Sequence, residues 1–132
     1  MKQFQTLEGS GRPVHDYSTI AEVTDSRLIF IAGQVPWNEV GESVGIGNPE
    51  EQIRQVFRNL DAAVRAAGGT LNDLVRITVY LTDSRFFPAF RKVRPEFLKP
   101  PYPTSTGIVV TALGYPEWIV EIDAVAALER TT

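Results

Sequence analysis

Residues 48–81 read NPEEQIRQVFRNLDAAVRAAGGTLNDLVRITVYL, a helix followed by a strand, and the fold class turns on that pair. Asn48 is a good helix N-cap, Pro49 suits the first helical position, and Glu50 and Glu51 complement the positive end of the helix dipole. Ile53, Val56, Phe57, Leu60, Ala63, Val64 and Ala67 recur at helical spacing and form a core-facing stripe. Gly68-Gly69 stops the helix. Leu74 to Leu81 then switches to period two, with Val75, Ile77, Val79 and Leu81 on one face and Arg76, Thr78 and Tyr80 on the other.

Working outward, Ser18–Thr24 and Arg27–Val35 read as strands upstream, separated by the turn pair Asp25-Ser26. Pro36 cannot donate to a ladder and ends the second of them. Downstream, Asp83 or Ser84 caps a second helix, with Pro88 in its first turn and Pro95 at its end. Thr104–Leu113 and Trp118–Leu128 are two further strands, most simply an antiparallel hairpin turned through Gly114-Tyr115-Pro116-Glu117. The expected order is β-β-α-β-α-β-β in one domain spanning residues 1–132. It makes an α+β layer with two helices on one face of a mixed sheet. Ile108, Val109 and Val110, and Ile119, Val120, Ile122 and Val125, are apolar at both strand parities. A sheet apolar on both faces, with helices for only one, implies that another subunit covers the second.

Composition removes whole classes of chemistry. With no cysteine, thiolate nucleophiles, disulfides and zinc–thiolate sites are excluded. A single histidine, His15, excludes a multi-histidine metal site within one subunit, and no metal or cofactor is expected. Thirteen basic against 16 acidic residues give a net charge of −3, unsuited to nucleic acid or to an anionic membrane surface. No apolar run approaches the roughly 20 residues of a membrane span. The first residues lack the apolar stretch of a secretory signal, which points to the cytoplasm. Chemistry must come from carboxylates, arginines, hydroxyls and backbone groups.

Several such groups stand out. Glu121 and Asp123 alternate on one face of the last strand, either as exposed charges or as a general acid or base in a cleft. Gly33 ends an apolar strand, as a turn residue or as a point of close backbone approach. Arg91 and Arg94 are three apart on the second helix, with Arg85 near its start. Solvation is the ordinary fate of such arginines; a carboxylate fork is the functional one. His15-Asp16-Tyr17 reads as a surface cluster, and no Gly-x-Ser-x-Gly elbow accompanies it.

Four strings taken together resemble the Rid family, also called YjgF-like or L-PSP. They are Ala32-Gly33-Gln34-Val35-Pro36, residues 59–68 (NLDAAVRAAG), residues 75–83 (VRITVYLTD) and residues 120–126 (VEIDAVA). The resemblance implies a chorismate-mutase-like subunit in a homotrimer. The three sheets of such a trimer form an inner barrel, with ligand clefts between neighbouring subunits. It implies hydrolysis of reactive enamines or imines to a keto acid and ammonia, without metal or cofactor. Tyr17 matches the family tyrosine before the first strand, Gly33 the glycine whose backbone lines the cleft, and Glu121 the carboxylate that positions or activates water. One position departs. Active deaminases carry an arginine in a Pro-x-Arg-Ser/Thr string to grip the substrate carboxylate; here Pro103-Thr104-Ser105-Thr106 puts Ser105 there. The next cleft-lining position, often cysteine, is Gly107, and Arg91 stands where the family often has a small polar residue. Two expectations follow: an imine or enamine deaminase of shifted specificity for a small unsaturated amino or imino acid, or a non-catalytic trimer that binds a small carboxylate ligand.

Overall fold

The computed structural model describes residues 1–7 and 16–130; His15 lies outside them. Among the described residues, six strands and two α-helices follow one another: β1 (Lys2–Gln5), β2 (Ile20–Val23), β3 (Ser26–Gln34), α1 (Pro49–Ala66), β4 (Leu74–Leu81), α2 (Phe87–Val93), β5 (Thr104–Val109) and β6 (Val120–Glu129). β1 and β2 form an antiparallel pair, and the other four strands form a mixed sheet in the order β3-β6-β4-β5. The expected α+β fold, with two helices on one face of a mixed sheet, is the observed one.

The helix α1 forms as its caps dictate. The Asn48 side chain accepts from Glu51 N–H at 3.2 Å. At the other end Gly68 adopts φ +95°, and the N–H groups of Gly68 and Gly69 return to the carbonyls of Arg65 and Val64. Its apolar stripe, with Ile53, Val56, Phe57, Leu60 and Val64 fully buried, packs against Ile122, Ala124 and Ala126 of β6 and Ile31 of β3. Phe57 also stacks on Phe90 of α2 and on Phe97, with ring centroids 6.0 and 5.0 Å apart, which holds α2 beside α1.

The expected hairpin of the last two strands is not formed. β5 pairs in parallel with β4, and β6 lies antiparallel between β4 and β3. The reason is connectivity. β4 and β5 are linked through α2, a crossover of the kind that parallel neighbours need. β6 carries the fully buried row Val120, Ile122 and Ala126, so burial favours the central position, with partners on both edges. β5 stops at Val109, short of the expected Leu113, because Val109 pairs with Leu81, the last residue of β4. β1 was not expected. Its polar sequence KQFQ is held by β2 and by Lys2 Nζ, which donates to Asp73 Oδ1 at 2.9 Å and to the Ala127 carbonyl at 3.0 Å.

Gln52, only 1% exposed, stitches α1 to the segment before β6. Its Nε2 donates to the carbonyls of Gly45 and Glu117, and its Oε1 accepts from Ile119 N–H at 2.8 Å. Gln52→Leu leaves these backbone groups without partners, and chemical denaturation should show a loss of about 1–3 kcal/mol. Unchanged stability would mean that water replaces the amide at no cost.

Among the described residues no helix lies over the second face of the sheet. Leu28 and Phe30 of β3 are 50% and 76% exposed there, and Ile108 of β5 is 40% exposed.

Candidate functional site

Tyr17, Arg91, Arg94, Ser105 and Gly107, all singled out in the sequence, converge on one cavity, of about 210 Å³, between α2 and β5. Its floor is the helix-facing row of the sheet edge, where Ser105 and Gly107 of β5 pair with Ile77 and Val79 of β4. Its wall is one face of the α2 region. Phe87, Phe90, Arg91 and Arg94 are spaced i, i+3, i+4 and i+7, so all four side chains turn towards β5. Tyr17 closes one side. It is brought there by its neighbour Ser18, whose N–H donates to the Pro103 carbonyl at 3.0 Å and whose hydroxyl donates to the Tyr102 carbonyl at 2.6 Å. The space that Gly107 leaves is taken by Phe87: a Cβ at Gly107 would lie 2.6 Å from the ring.

The three arginines flagged in the sequence have separate fates. Arg85 is spent on Asp83, with two guanidinium hydrogen bonds of 3.0 and 2.8 Å that hold the Asp83 carboxyl down to about 2. Arg91 lines the cavity and is largely exposed. Arg94 was expected to be solvated no less than Arg91, yet it is only 5% exposed. Its guanidinium carbon sits 5.1 Å from the Phe90 ring centroid, and its Nε has no hydrogen-bond partner. Burial, and then the nearby Arg91, lower its pKa, while Asp16 opposes the shift. The helical spacing of residues 87, 90, 91 and 94 was a signal for this placement. The cover supplied by the Tyr17 and Tyr102 segments was not.

Gly33 and Glu121 sit together but on the other face of the sheet. Ser105 and Gly107 share the helix-covered side with Val79, whereas Glu121 pairs with Tyr80 on the open side. A Cβ at Gly33 would fall 2.0 Å from Glu121 Oε2, so the missing side chain is what gives the carboxylate its place. Glu121 is half-buried, and its pKa is raised, first by that burial and then by the like charge of Asp123. Asp123 accepts a hydrogen bond of 2.8 Å from the Tyr80 hydroxyl, which fixes it beside Glu121. Among the described residues no cluster of three or more His, Cys, Asp or Glu side chains is placed to hold a metal ion.

The Gly33 geometry makes a sharp expectation. In Gly33→Ala the clash falls on the tip of a flexible side chain, so Glu121 swings aside at little cost to folding. If Glu121 is catalytic, turnover falls about 10- to 100-fold with stability nearly unchanged. A variant that keeps full turnover would show that this placement of Glu121 is irrelevant to chemistry.

The family model described as Endoribonuclease L-PSP matches residues 9–128. A crystal structure of a Rid-family protein of unknown function, YyfB from Yersinia pestis, superposes with a TM-score of 0.88 at 33% identity, covering 96% of this chain and 98% of that one. The chain belongs to the Rid family. A RutC family protein of Pyrococcus horikoshii is 32% identical to this Rid protein over 129 residues, 98% of this chain and all of the relative. A protein of Dermatophagoides farinae named 2-iminobutanoate/2-iminopropanoate deaminase is 26% identical over 118 residues, 89% of this chain and 90% of the relative. No helix among the described residues of this Rid protein is long and apolar enough to cross a membrane.

Proposed function

We propose that this Rid protein is a cofactor-independent enamine and imine deaminase of shifted specificity. Its substrate is a small unsaturated amino or imino acid, bound in a cleft between subunits of a cytoplasmic homotrimer. The observation that carries this reading is the pairing of Glu121 with Gly33 on the sheet face that no helix among the described residues covers, where Leu28 and Phe30 also stand exposed. A half-buried carboxylate with a raised pKa takes up and returns a proton more readily than a solvated one. Glu121 accepts a proton from water as the water oxygen bonds to the carbon of the N-protonated imine and the C=N electrons move to nitrogen. The proton then passes to the amino group of the resulting carbinolamine. Loss of the hydroxyl proton and of ammonia leaves the keto acid.

The trimer supplies what one chain does not. The cavity of Tyr17, Arg91, Ser105 and Gly107 and the carboxylate of Glu121 lie on opposite faces of one sheet. A second subunit docked on the open face would bring its own cavity to the first subunit's Glu121. The deaminase from Dermatophagoides farinae supports the reaction class at the distance its identity allows.

Ser105 favours the second reading, a trimer that binds a carboxylate ligand without turnover, because it offers no cation where the family's active deaminases have arginine. The two readings part in one assay: ammonia release from an imine generated in situ by an amino-acid oxidase. The deaminase reading expects a rate well above the uncatalysed one. A rate equal to it, with a carboxylate still bound, identifies a binding protein.

A further inference from the structure

We propose that Arg94 is the anion anchor of the α2–β5 cavity, gripping the carboxylate of a small monocarboxylic 2-oxo or 2-imino acid in place of the cation missing at Ser105. The proposal rests on the deaminase reading for its ligand class and on geometry for its residue. Arg94 is only 5% exposed, lines the cavity, and leaves its Nε–H without a partner. Among the described residues no carboxylate lies within ion-pair distance of it, whereas Arg54 is held by Glu50, Glu51 and Glu96 and Arg65 by Asp61. A buried guanidinium with no carboxylate in ion-pair contact is a cost to the fold that a ligand carboxylate reduces. Its planar fork suits that group in two-point geometry.

The surroundings narrow the ligand. Phe90 lies under the guanidinium, and Phe87 and Val79 supply apolar wall, so the body of the ligand is short and apolar. The charged groups that face Arg94 are Asp16 and Arg91, with the Tyr17 and Tyr102 hydroxyls beside them. Two guanidiniums face one carboxylate, so one negative charge from the ligand balances the cavity. Ser105 adds a neutral donor on the opposite side.

The test is calorimetric titration with 2-oxobutanoate, a stable keto acid, at neutral pH. Arg94→Met should weaken binding about 10- to 100-fold, and Arg94→Lys, which keeps the charge without the fork, should weaken it less. The methyl ester should bind the native protein no better than the acid binds Arg94→Met. Arg94→Met should also melt no lower than the native protein, because removing a buried charge that makes no ion pair and faces the like charge of Arg91 relieves the fold, whereas a purely structural arginine would lower the melting temperature. Equal affinity of native and Arg94→Met proteins for 2-oxobutanoate, or no binding by the native protein, overturns the proposal. Should Arg94→Met fail to fold, unchanged affinity in Arg94→Lys together with equal binding of the ester overturns it. Binding needs no turnover, so the two readings fail separately. Arg94-dependent binding without ammonia release sinks the deaminase and leaves the anchor. Turnover with unaltered KM in Arg94→Met sinks the anchor and leaves the deaminase.

Discussion

Glu121→Gln should lower deamination by a factor of 10² to 10⁴ while leaving the state of assembly and the melting temperature unchanged. The substitution keeps the shape of the side chain and removes the proton acceptor, and general-base catalysis is worth about that factor, or roughly 3–5 kcal/mol of barrier. The same carboxylate sets the pH profile. Burial and Asp123 raise its pKa, so the ionised base is lost at a higher pH than for an ordinary glutamate. The native rate should therefore rise with pH through a limb displaced above the usual carboxylate range and then level off. Glu121→Gln should lack that limb. A native-like rate in the variant, or an unaltered acid limb, would remove Glu121 from the mechanism.

Phe30→Asp should break the assembly. Phe30 is 76% exposed on the open sheet face, beside Leu28 at 50%, and is the most exposed of the large apolar side chains among the described residues. If that face is the subunit interface, the substitution forfeits about 1.5–3 kcal/mol of apolar burial per site. It also buries an unpaired carboxylate, at a further cost of several kcal/mol. Together these exceed the roughly 4 kcal/mol that a thousandfold weaker association requires. Light scattering should give three times the chain mass of 14.7 kDa for the native protein and the single-chain mass for Phe30→Asp. Activity should disappear with the trimer. A native protein that stays monomeric, or a variant that stays trimeric, would place the interface elsewhere or abolish it.

What could be read from the sequence was whatever local chemistry decides. Asn48, Pro49 and Gly68 bounded α1 because caps act on their own helix, and β4 ran from Leu74 to Leu81 as its alternation indicated. The uncovered sheet face was also legible, because strands apolar at both parities need two partners and the chain has helices for one. The pairing of β5 with β6 was misread because adjacency in a sheet is settled by the crossover through α2 and by the burial of β6, neither of which is local. The polar strand β1 had no pattern of its own to announce it.

The candidate site divides in the same way. Strings near Tyr17, Gly33, Ser105 and Glu121 pointed to the residues, but not to their separation by the sheet. Arg94 shared a helix face with Phe87, Phe90 and Arg91 in plain spacing. Its burial depends on Tyr17 and Tyr102, held against β5 by Ser18, a contact 84 residues distant in sequence.

The central claim is that each active site takes its base from one subunit and its cavity from the next. Subunit complementation tests it most directly. Glu121→Gln lacks the base; Ser105→Glu fills the cavity and repels a carboxylate substrate, so each homotrimer should be inactive. Unfolding the two together and refolding the equal mixture should restore about a quarter of native activity, because that share of interfaces joins an intact Glu121 to an intact cavity. If both halves of a site belonged to the same chain, the mixture would stay as inactive as either parent.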